Sequence, residues 1–362
     1  MNWYKNEWES WKAIIETVAS ETHRSVQMIE KDTIQSMILY SLSKSTLPLV
    51  FKGGTSLSKA YSIIDRFSED IDLSASQKLS EAERRQTKTL ILDTAVQLGL
   101  TLTNSDQIQS RHSYNKYVFE YDSLFSEIPL ELIVETSFYQ SVYPVELHPV
   151  DSFVGKFCRE RKIILPIPFE AATLCMPVQS LERTFIDKVF AVCDYKIQDM
   201  QDRDSRHLYD IAKLMPEINC TPEFRELISQ VRKDRMLSKN NPSAQPEYNI
   251  PEMLADIINS RFYEPDYNSI TKKLLYEDFS YERAISEGIG IVAQADSGFG
   301  IVFGMGLNGE QYDARAATAA IKNMNESAKS SGVSEMTLDE INAEIAAARN
   351  ERRERTDYPA PE

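Results

Sequence analysis

The chain has 362 residues, 42% of them hydrophobic and 10% aromatic, which is long and apolar enough for two packed domains. Its formal net charge of −15 argues against broad electrostatic binding of nucleic acid, although a local basic groove remains compatible with it. Apolar runs of membrane-spanning length, a signal-peptide core and Cys-x-x-Cys spacing are all missing from the sequence, so we expect a cytoplasmic protein with reduced thiols and no membrane partner.

Helical periodicity begins the chain. Apolar residues recur at helical spacing in two successive segments of residues 3–43, and these include Trp3, Trp8 and Trp11. We interpret the tryptophans as core packing rather than as a stacking platform for bases.

Residues 47–73 then predict a strand, a glycine turn, a short helix and a second strand. The turn contains Gly53 and Gly54, and glycine lets a backbone turn tightly and approach a ligand closely. Thr55 or Ser56 can cap the helix that follows, whose free N–H groups suit a phosphate.

The second strand carries Asp70 and Asp72, which are two residues apart and therefore share one face. Two carboxylates on one face repel each other unless a cation lies between them, which suits a hard metal such as Mg²⁺ bound together with nucleotide phosphates. Taken separately, a Gly-Gly pair is usually a turn, and Asp-x-Asp is usually a solvated loop or strand edge. Their order and spacing in an apolar setting favour a metal and phosphate site.

An amphipathic helix is predicted over residues 80–98, and two strands rich in β-branched and aromatic residues over 116–121 and 130–138. The second of these strands carries Glu131 and Glu135, which share a face, so that either could reach the metal site. Solvated strand charges are the alternative interpretation.

From about residue 150 the sequence predicts mostly helices. Pro166, Pro168 and Pro177 indicate an irregular connector, and residues 181–192 form a strongly apolar helix. Lys188 lies within the apolar stripe of that helix, so its amine must reach solvent or meet an anion.

Another helix is predicted to open near residue 202. Its Arg206 and Asp210 are four residues apart and can pair on the helix surface. We interpret His207 as a helix-surface or capping residue rather than as a catalytic base. The best basic candidates for contact with RNA, which a solvated helix face explains equally well, are Arg225, Arg232, Lys233, Arg235 and Lys239.

Glycines cluster after residue 285. Residues 298–309 are predicted to form a flexible connector or a glycine-rich strand pair, and helices are predicted over 314–322 and 337–353. The last helix suits docking or oligomerisation, and a partly disordered end is the alternative. The chain is therefore divided into N-terminal helices at 1–44, an α/β core at 45–150, a helical domain at 151–290, and a connector with a tail helix at 291–362.

Two strings, Lys-Gly-Gly-Thr-Ser-Leu at 52–57 and Arg-Phe-Ser-Glu-Asp-Ile-Asp-Leu at 66–73, resemble the AbiEii toxin family of polymerase-β-like nucleotidyltransferases. The resemblance covers about residues 1–290. It implies an α+β fold in which a mixed nucleotidyltransferase sheet has a helical N-terminal segment and a helical C-terminal domain. It also implies a bacterial toxin of a toxin–antitoxin or abortive-infection system, acting in phage defence, with a separately encoded antitoxin as partner.

The activity implied by the resemblance is transfer of a nucleotidyl group from an NTP, with Mg²⁺ or Mn²⁺, to an acceptor hydroxyl on RNA such as tRNA. Asp70, Asp72 and a third carboxylate from a neighbouring strand would hold two metals, one activating the hydroxyl and the other neutralising the α-phosphate and pyrophosphate. Glu135 matches the Val-Glu pattern of the family better than Glu131 does.

The resemblance also implies roles for residues in the helical region. The helix of Lys188 ends in the family's Lys-x-x-Ala pattern, which implies that Lys188 contacts the triphosphate as a point charge. The family's Arg-Asp-x-x-Asp motif is changed at His207 but keeps Asp210, whose implied role is to hold Lys188 or orient the acceptor. The candidate nucleotide-binding residues are completed from the two strings: Lys52, Gly53, Gly54, Thr55, Ser56, Arg66 and Ser68.

Two other functions are compatible with the same residues. One is an NTP-binding interaction module without transfer chemistry. The other is nucleotidyl transfer to a protein or to a small molecule instead of RNA.

Overall fold

The computed structural model describes residues 7–109, 112–163, 174–202 and 204–305. None of the helices in these ranges is both long enough and apolar enough to cross a membrane. Several features named above lie outside the described residues: Trp3, Pro166, Pro168 and the helices predicted at 314–322 and 337–353.

A mixed sheet of seven strands forms the centre of the described chain, in the order β3-β4-β5-β2-β1-β7-β6. Strand β2 is antiparallel to β1 on one side and parallel to β5 on the other. The strands are β1 (Leu49–Lys52), β2 (Asp70–Ala75), β3 (Thr101–Leu102), β4 (Tyr114–Tyr121), β5 (Leu130–Ser137), β6 (Val145–Val150) and β7 (Leu174–Gln179).

Helices precede, interrupt and follow the sheet. They are α1 (Trp8–Thr22), α2 (Val26–Ser43), α3 (Gly53–Lys59), α4 (Glu81–Leu98), α5 (Phe153–Arg161), α6 (Leu181–Ile197), α7 (Arg206–Leu214), α8 (Pro222–Met236), α9 (Ile250–Asn259), α10 (Glu264–Asp266), α11 (Lys272–Leu274), α12 (Tyr281–Ala284), α13 (Gly290–Ala293) and α14 (Gly298–Phe303). Two π-helical turns, Tyr267–Thr271 and Ile285–Ile289, separate α10 from α11 and α12 from α13. The predicted α+β fold with a mixed sheet is confirmed.

Local signals account for the starts of helices α4 and α6, the second of which carries Lys188. Ser80 and Glu83 form a capping box at the start of α4, each side chain bonding the other's backbone N–H. The Ser180 side chain caps α6 by accepting from the backbone N–H of Arg183. Because Ser180 directly follows β7, α6 leaves the sheet without an intervening loop.

Two apolar cores hold the sheet and the helices that follow it. One covers the sheet and includes Phe51 of β1, Leu73 of β2 and Val134 of β5, all fully buried. The other joins the helices and includes Phe185 of α6. Leu57 of α3 belongs to this second core, so the short helix after the glycine pair lies where the two cores meet.

The structure corrects the predictions for three segments. Pro177 lies inside strand β7 rather than in an irregular connector, so the sheet takes a strand from a region predicted to be mostly helical. Strand β7 is an interior strand: it pairs with β1 at Val178 and with the edge strand β6 along its length, where Pro177 lies opposite Leu147. Gly298–Phe303 is a helix capped by Ser297, not a flexible connector or a strand pair. Trp11 is buried in a small core as predicted, whereas Trp8 is 47% exposed.

Candidate active site

Strand β2 brings its two aspartates beside a glutamate of the neighbouring strand. In the parallel register of β2 and β5, Asp72 lies opposite Glu135 and Asp70 lies opposite Ile133. Paired residues of adjacent strands project to the same face of a sheet, so Asp70, Asp72 and Glu135 share one face. Glu131 is exposed and lies farther along β5, beyond the residue that faces Asp70.

The carboxylates on this face oppose one another's ionisation. Burial, with a smaller contribution from the charges of Glu135 and Asp70, raises the pKa of Asp72 to about 6 against the opposing effect of Lys52. Burial also raises the pKa of Asp70. Within the described ranges, the Oδ1 atom of Asp70 is buried and has no hydrogen-bond partner. The face therefore concentrates negative charge that the protein itself compensates poorly.

The side chain of Glu135 lies beside Lys116 and Tyr114 of strand β4. Its Oε1 lies 3.7 Å from Lys116 Nζ, and burial together with the Glu135 carboxylate raises the pKa of Tyr114. Across the part of the chain that the structure describes, no three His, Cys, Asp or Glu side chains are grouped as metal ligands. Glu135 is thus adjacent to the aspartates without closing a three-carboxylate cage around them.

The glycine pair is needed because side chains pack directly against it. Gly53 has φ of 80°, and a Cβ atom there would lie 2.0 Å from Oδ2 of Asp72. A Cβ atom on Gly54 would lie 2.4 Å from Nη2 of Arg66 and 2.9 Å from the Ser68 hydroxyl. The turn therefore makes room for a carboxylate of the sheet on one side and for Arg66 on the other.

The prediction that Thr55 or Ser56 caps the helix is wrong. Helix α3 begins at Gly53, and its N-cap position is Lys52. The Thr55 hydroxyl bonds the Ser68 hydroxyl at 2.9 Å and also donates to the Asp70 carbonyl oxygen, while the Ser56 hydroxyl donates to the Gly53 carbonyl. The Thr55 hydroxyl thus ties the turn to β2, and the Ser56 hydroxyl bonds within the turn.

A buried ion cluster links the turn to the helical region. Arg66 Nε and Nη2 donate to Oδ1 and Oδ2 of Asp210, both at 2.7 Å, and Lys188 Nζ lies 2.8 Å from Oδ2. Lys188 Nζ also lies 3.3 Å from Nδ1 of His207. The two cations hold the pKa of Asp210 far below its usual range, despite complete burial of the carboxylate.

This cluster corrects two predictions for helix α7. Asp210 does not pair with Arg206 on the helix surface, because it is fully buried and faces Arg66 and Lys188, while Arg206 pairs with Asp204 at 3.0 Å. His207 lines a cleft beside Lys188 instead of lying on an open helix surface.

That cleft lies between the sheet and the helices. Its volume of about 590 Å³ is suited to a small-molecule ligand. Its wall contains Lys52, Gly53 and Asp72 on the sheet side, and Lys188 with His207 on the helix side. Residues of distant sequence segments therefore meet in one cleft. Of the candidate catalytic residues, Asp72 and Lys188 line it, whereas Asp70, Glu135 and Asp210 do not. Thr55, Ser56, Arg66 and Ser68 bond within the protein instead of lining this wall.

Sequence reasoning missed a second group of charges on the cleft wall. Asp187 accepts from Arg183 Nε at 3.0 Å and from Arg235 Nη1 at 3.1 Å. The Arg183–Asp187 spacing of four residues on the helix of Lys188 was a local signal for the first pair. Arg235 comes from α8, and only the folded chain brings it here. By contrast, Arg232 is buried and bonds backbone carbonyl oxygens, including that of Ala244 at 3.0 Å.

A mixed sheet with paired carboxylates on a central strand, a glycine turn packed against them and a buried lysine across the cleft defines a nucleotidyltransferase. The chain belongs to the AbiEii family: the family model described as nucleotidyl transferase AbiEii toxin of type IV toxin–antitoxin systems matches residues 38–287. The expected family and the expected class of enzyme are confirmed.

Two solved structures from Helicobacter pylori are similar to the chain. The first, JHP933, is 17% identical, covers 75% of this chain and 91% of its own, and has a TM-score of 0.39. The second, described provisionally as a nucleotidyltransferase, is 18% identical and has a TM-score of 0.44. The match covers 75% of this chain and 94% of that chain. No curated protein matches the chain.

Proposed function

We propose that this nucleotidyltransferase transfers a nucleotidyl group from an NTP bound with Mg²⁺ or Mn²⁺ to an acceptor hydroxyl on RNA, such as tRNA. The observation that carries the proposal is that one cleft contains Asp72 of strand β2, Gly53 of the glycine turn and Lys188 of helix α6. A metal-bound nucleotide needs carboxylates for its metal and cations for its phosphates. The sheet side of the cleft offers the Asp72 carboxylate, and the helix side offers the Lys188 amine.

The carboxylates on β2 fit a divalent cation. Asp70 Oδ1 is buried and unbonded within the described ranges, and the charges of Asp70 and Glu135 oppose the ionisation of Asp72. Anionic oxygens that lack compensating hydrogen bonds are the ligands that Mg²⁺ prefers. We therefore assign Asp70, Asp72 and Glu135 to the metal. When bound, the metal would neutralise charge at the reacting phosphate.

In the proposed transfer, the acceptor oxygen forms a bond to the α-phosphorus, the bond to the pyrophosphate oxygen breaks with its electron pair leaving on pyrophosphate, and the proton of the acceptor hydroxyl passes to solvent. Lys188 would stabilise the negative charge of the triphosphate and of the departing pyrophosphate, with Asp210 holding its amine in place. Lys52, on the sheet side of the cleft, would add a second positive charge. Most of the rate enhancement would come from positioning and electrostatics.

An RNA acceptor is supported by the charge of the cleft. The whole chain carries −15, yet four basic side chains and two acidic ones line this one cleft: Lys52, Arg183, Lys188 and Arg235 against Asp72 and Asp187. A local basic lining of this kind attracts a polyanion that the rest of the surface repels. A separately encoded antitoxin is the proposed protein partner.

Incubating the protein with α-labelled NTPs, Mg²⁺ and total RNA tests the proposal. We expect label on RNA with the wild-type protein, and loss of labelling and of growth inhibition with Asp72→Asn or with excess EDTA. Asp106→Asn, which changes an exposed aspartate of the same chain, is the matched control and should label normally.

The same experiment separates the alternatives. Saturable NTP binding without any labelled product would favour a binding module, and label on protein or on a small molecule would change the acceptor class. Full toxicity of Asp72→Asn would overturn the assignment of the metal site.

A further inference from the structure

Asp210 is shared by two cations, and its hydrogen-bonding capacity is largely used by one of them. Arg66 donates to both carboxylate oxygens in a bidentate pair, whereas Lys188 reaches Oδ2 alone. A bidentate guanidinium–carboxylate pair is the stronger and more directional of the two interactions. Arg66 is therefore the main neutralising partner of Asp210.

Counting the charges of this cluster leaves a surplus. Arg66 and Lys188 contribute two positive charges and Asp210 one negative charge. Burial and the neighbouring Lys188 lower the pKa of His207, so its ring is neutral and adds nothing. Arg206 lies nearby, but it pairs with Asp204. Within the cluster of Arg66, Lys188 and Asp210 one positive charge therefore remains. The member of the cluster that faces the cleft, which Asp72 also lines, is Lys188.

Arg66 itself is placed away from the substrate. Its side chain is 2% exposed, and the cleft wall contains Lys188 but not Arg66. Its Nη2 packs against Gly54, and its Nη1 donates to the Phe67 carbonyl oxygen at 2.9 Å. These contacts fix the guanidinium between the glycine turn and α7, so any effect of Arg66 on a nucleotide must pass through Asp210.

We infer that Arg66 is a positioning residue, which neutralises Asp210 so that the charge of Lys188 remains available to a nucleotide phosphate. This inference rests on the proposed function and differs from direct nucleotide contact by Arg66, which the sequence suggested. Without Arg66, Asp210 and Lys188 would form a closed, neutral pair, and a phosphate would have to compete with the carboxylate for the amine. With Arg66 present, one positive charge of the cluster stays uncompensated until an anion binds to Lys188.

Binding of non-hydrolysable analogues of the four NTPs, with Mg²⁺, to the full-length chain tests this inference by calorimetry. We expect Arg66→Gln to weaken binding about tenfold or more, because Lys188 is then the sole cation that neutralises Asp210 and is less available to a phosphate. The double variant Arg66→Gln with Asp210→Asn removes one charge of each sign, restores the surplus on Lys188 and should regain most of the lost affinity. Arg66→Lys, which keeps the charge but loses the bidentate geometry, should lie between wild type and Arg66→Gln.

The double variant distinguishes charge balance from a purely structural role. If Arg66 only supported the fold, affinity would follow thermal stability across the variants, because removing both partners of a buried pair also relieves a folding defect. A double variant that binds no better than Arg66→Gln, or a loss of affinity in Arg66→Gln that is matched by its loss of stability in thermal unfolding, would overturn the inference. Unchanged binding by Arg66→Gln would also overturn it. If Arg66→Gln does not fold, the double variant decides alone: affinity near that of wild type supports the inference and lost affinity overturns it.

Failure of the proposed function gives a different pattern. A wild-type chain that binds NTP analogues with the expected variant order but labels no acceptor would refute nucleotidyl transfer and leave the inference standing. A wild-type chain that binds no NTP would overturn both.

Discussion

A Cβ atom on Gly53 would lie 2.0 Å from Oδ2 of Asp72, closer than any two such atoms can approach. Gly53 also has φ of 80°, where a side chain is strained. We therefore expect Gly53→Ala to cost about 1–2 kcal/mol of stability from its backbone conformation. Displacing the carboxylate should lower nucleotidyl transfer roughly a hundredfold. Thermal unfolding and the labelling assay measure the two effects.

Gly298→Ala is the matched control. A Cβ atom on Gly298 would lie 3.6 Å from Cys220 Cβ, an ordinary contact, at the start of helix α14. Stability and labelling should both stay close to wild type. Normal transfer by Gly53→Ala would show that Asp72 does not need its present position.

Glu135 and Glu131 offer a comparison within one strand. Glu135 lies opposite Asp72 in the register, whereas Glu131 pairs with Glu120 of β4 and is exposed. Because the third carboxylate must lie beside the aspartates, we expect Glu135→Gln to lower transfer roughly a hundredfold. Glu131→Gln should leave the rate unchanged. The opposite ranking in a labelling assay at saturating Mg²⁺ would assign the role to Glu131.

Glu30 in helix α2 predicts a pH dependence of stability. Its carboxylate is buried and accepts from Ser123 and from the Leu124 backbone N–H, and burial raises its pKa. The folded protein therefore holds this proton more tightly than the unfolded chain does, so raising the pH above about 4.5 costs stability until the folded-state pKa is passed.

Replacing the ionisable group removes this cost. We expect Glu30→Gln to match the wild-type stability near pH 4 and to exceed it at pH 7, as measured by urea unfolding across that range. Glu226→Gln, at an exposed glutamate, should follow the wild type at every pH. A Glu30→Gln variant that is equally stable or less stable at pH 7 would contradict the expectation.

The sheet side of the site could be predicted from sequence because its signals are local. Alternation places Asp70 and Asp72 on one face whatever the rest of the fold does, and the apolar β-branched pattern identified β4 and β5. Glu135 could be preferred over Glu131, but its register with Asp72 depends on how β5 pairs with β2, which the sequence does not encode locally.

The helix side could not be predicted in the same way. The local partner of Asp210 is Arg206 at four residues' distance, and helix geometry favours that pair. Burial of Asp210 overrides the preference, since a buried carboxylate needs its strongest partners within the core and Arg66 arrives from the loop before β2. Pro177 misled in a comparable way, because a proline breaks a strand only where the neighbouring strand on that side needs its N–H.

Strand β7 and helix α6 are joined at Ser180. Their late position in the chain limits when the protein can become active during its own synthesis. Phe51 of β1 pairs with Val178 of β7, and Arg66 closes on Asp210, so both sides of the cleft depend on chain made much later than β2. Domains fold as units as they leave the ribosome. A nascent chain that stops short of β7 carries the carboxylates but neither the complete sheet nor the Lys188–Asp210 pair, so unfinished copies of the toxin lack an assembled site.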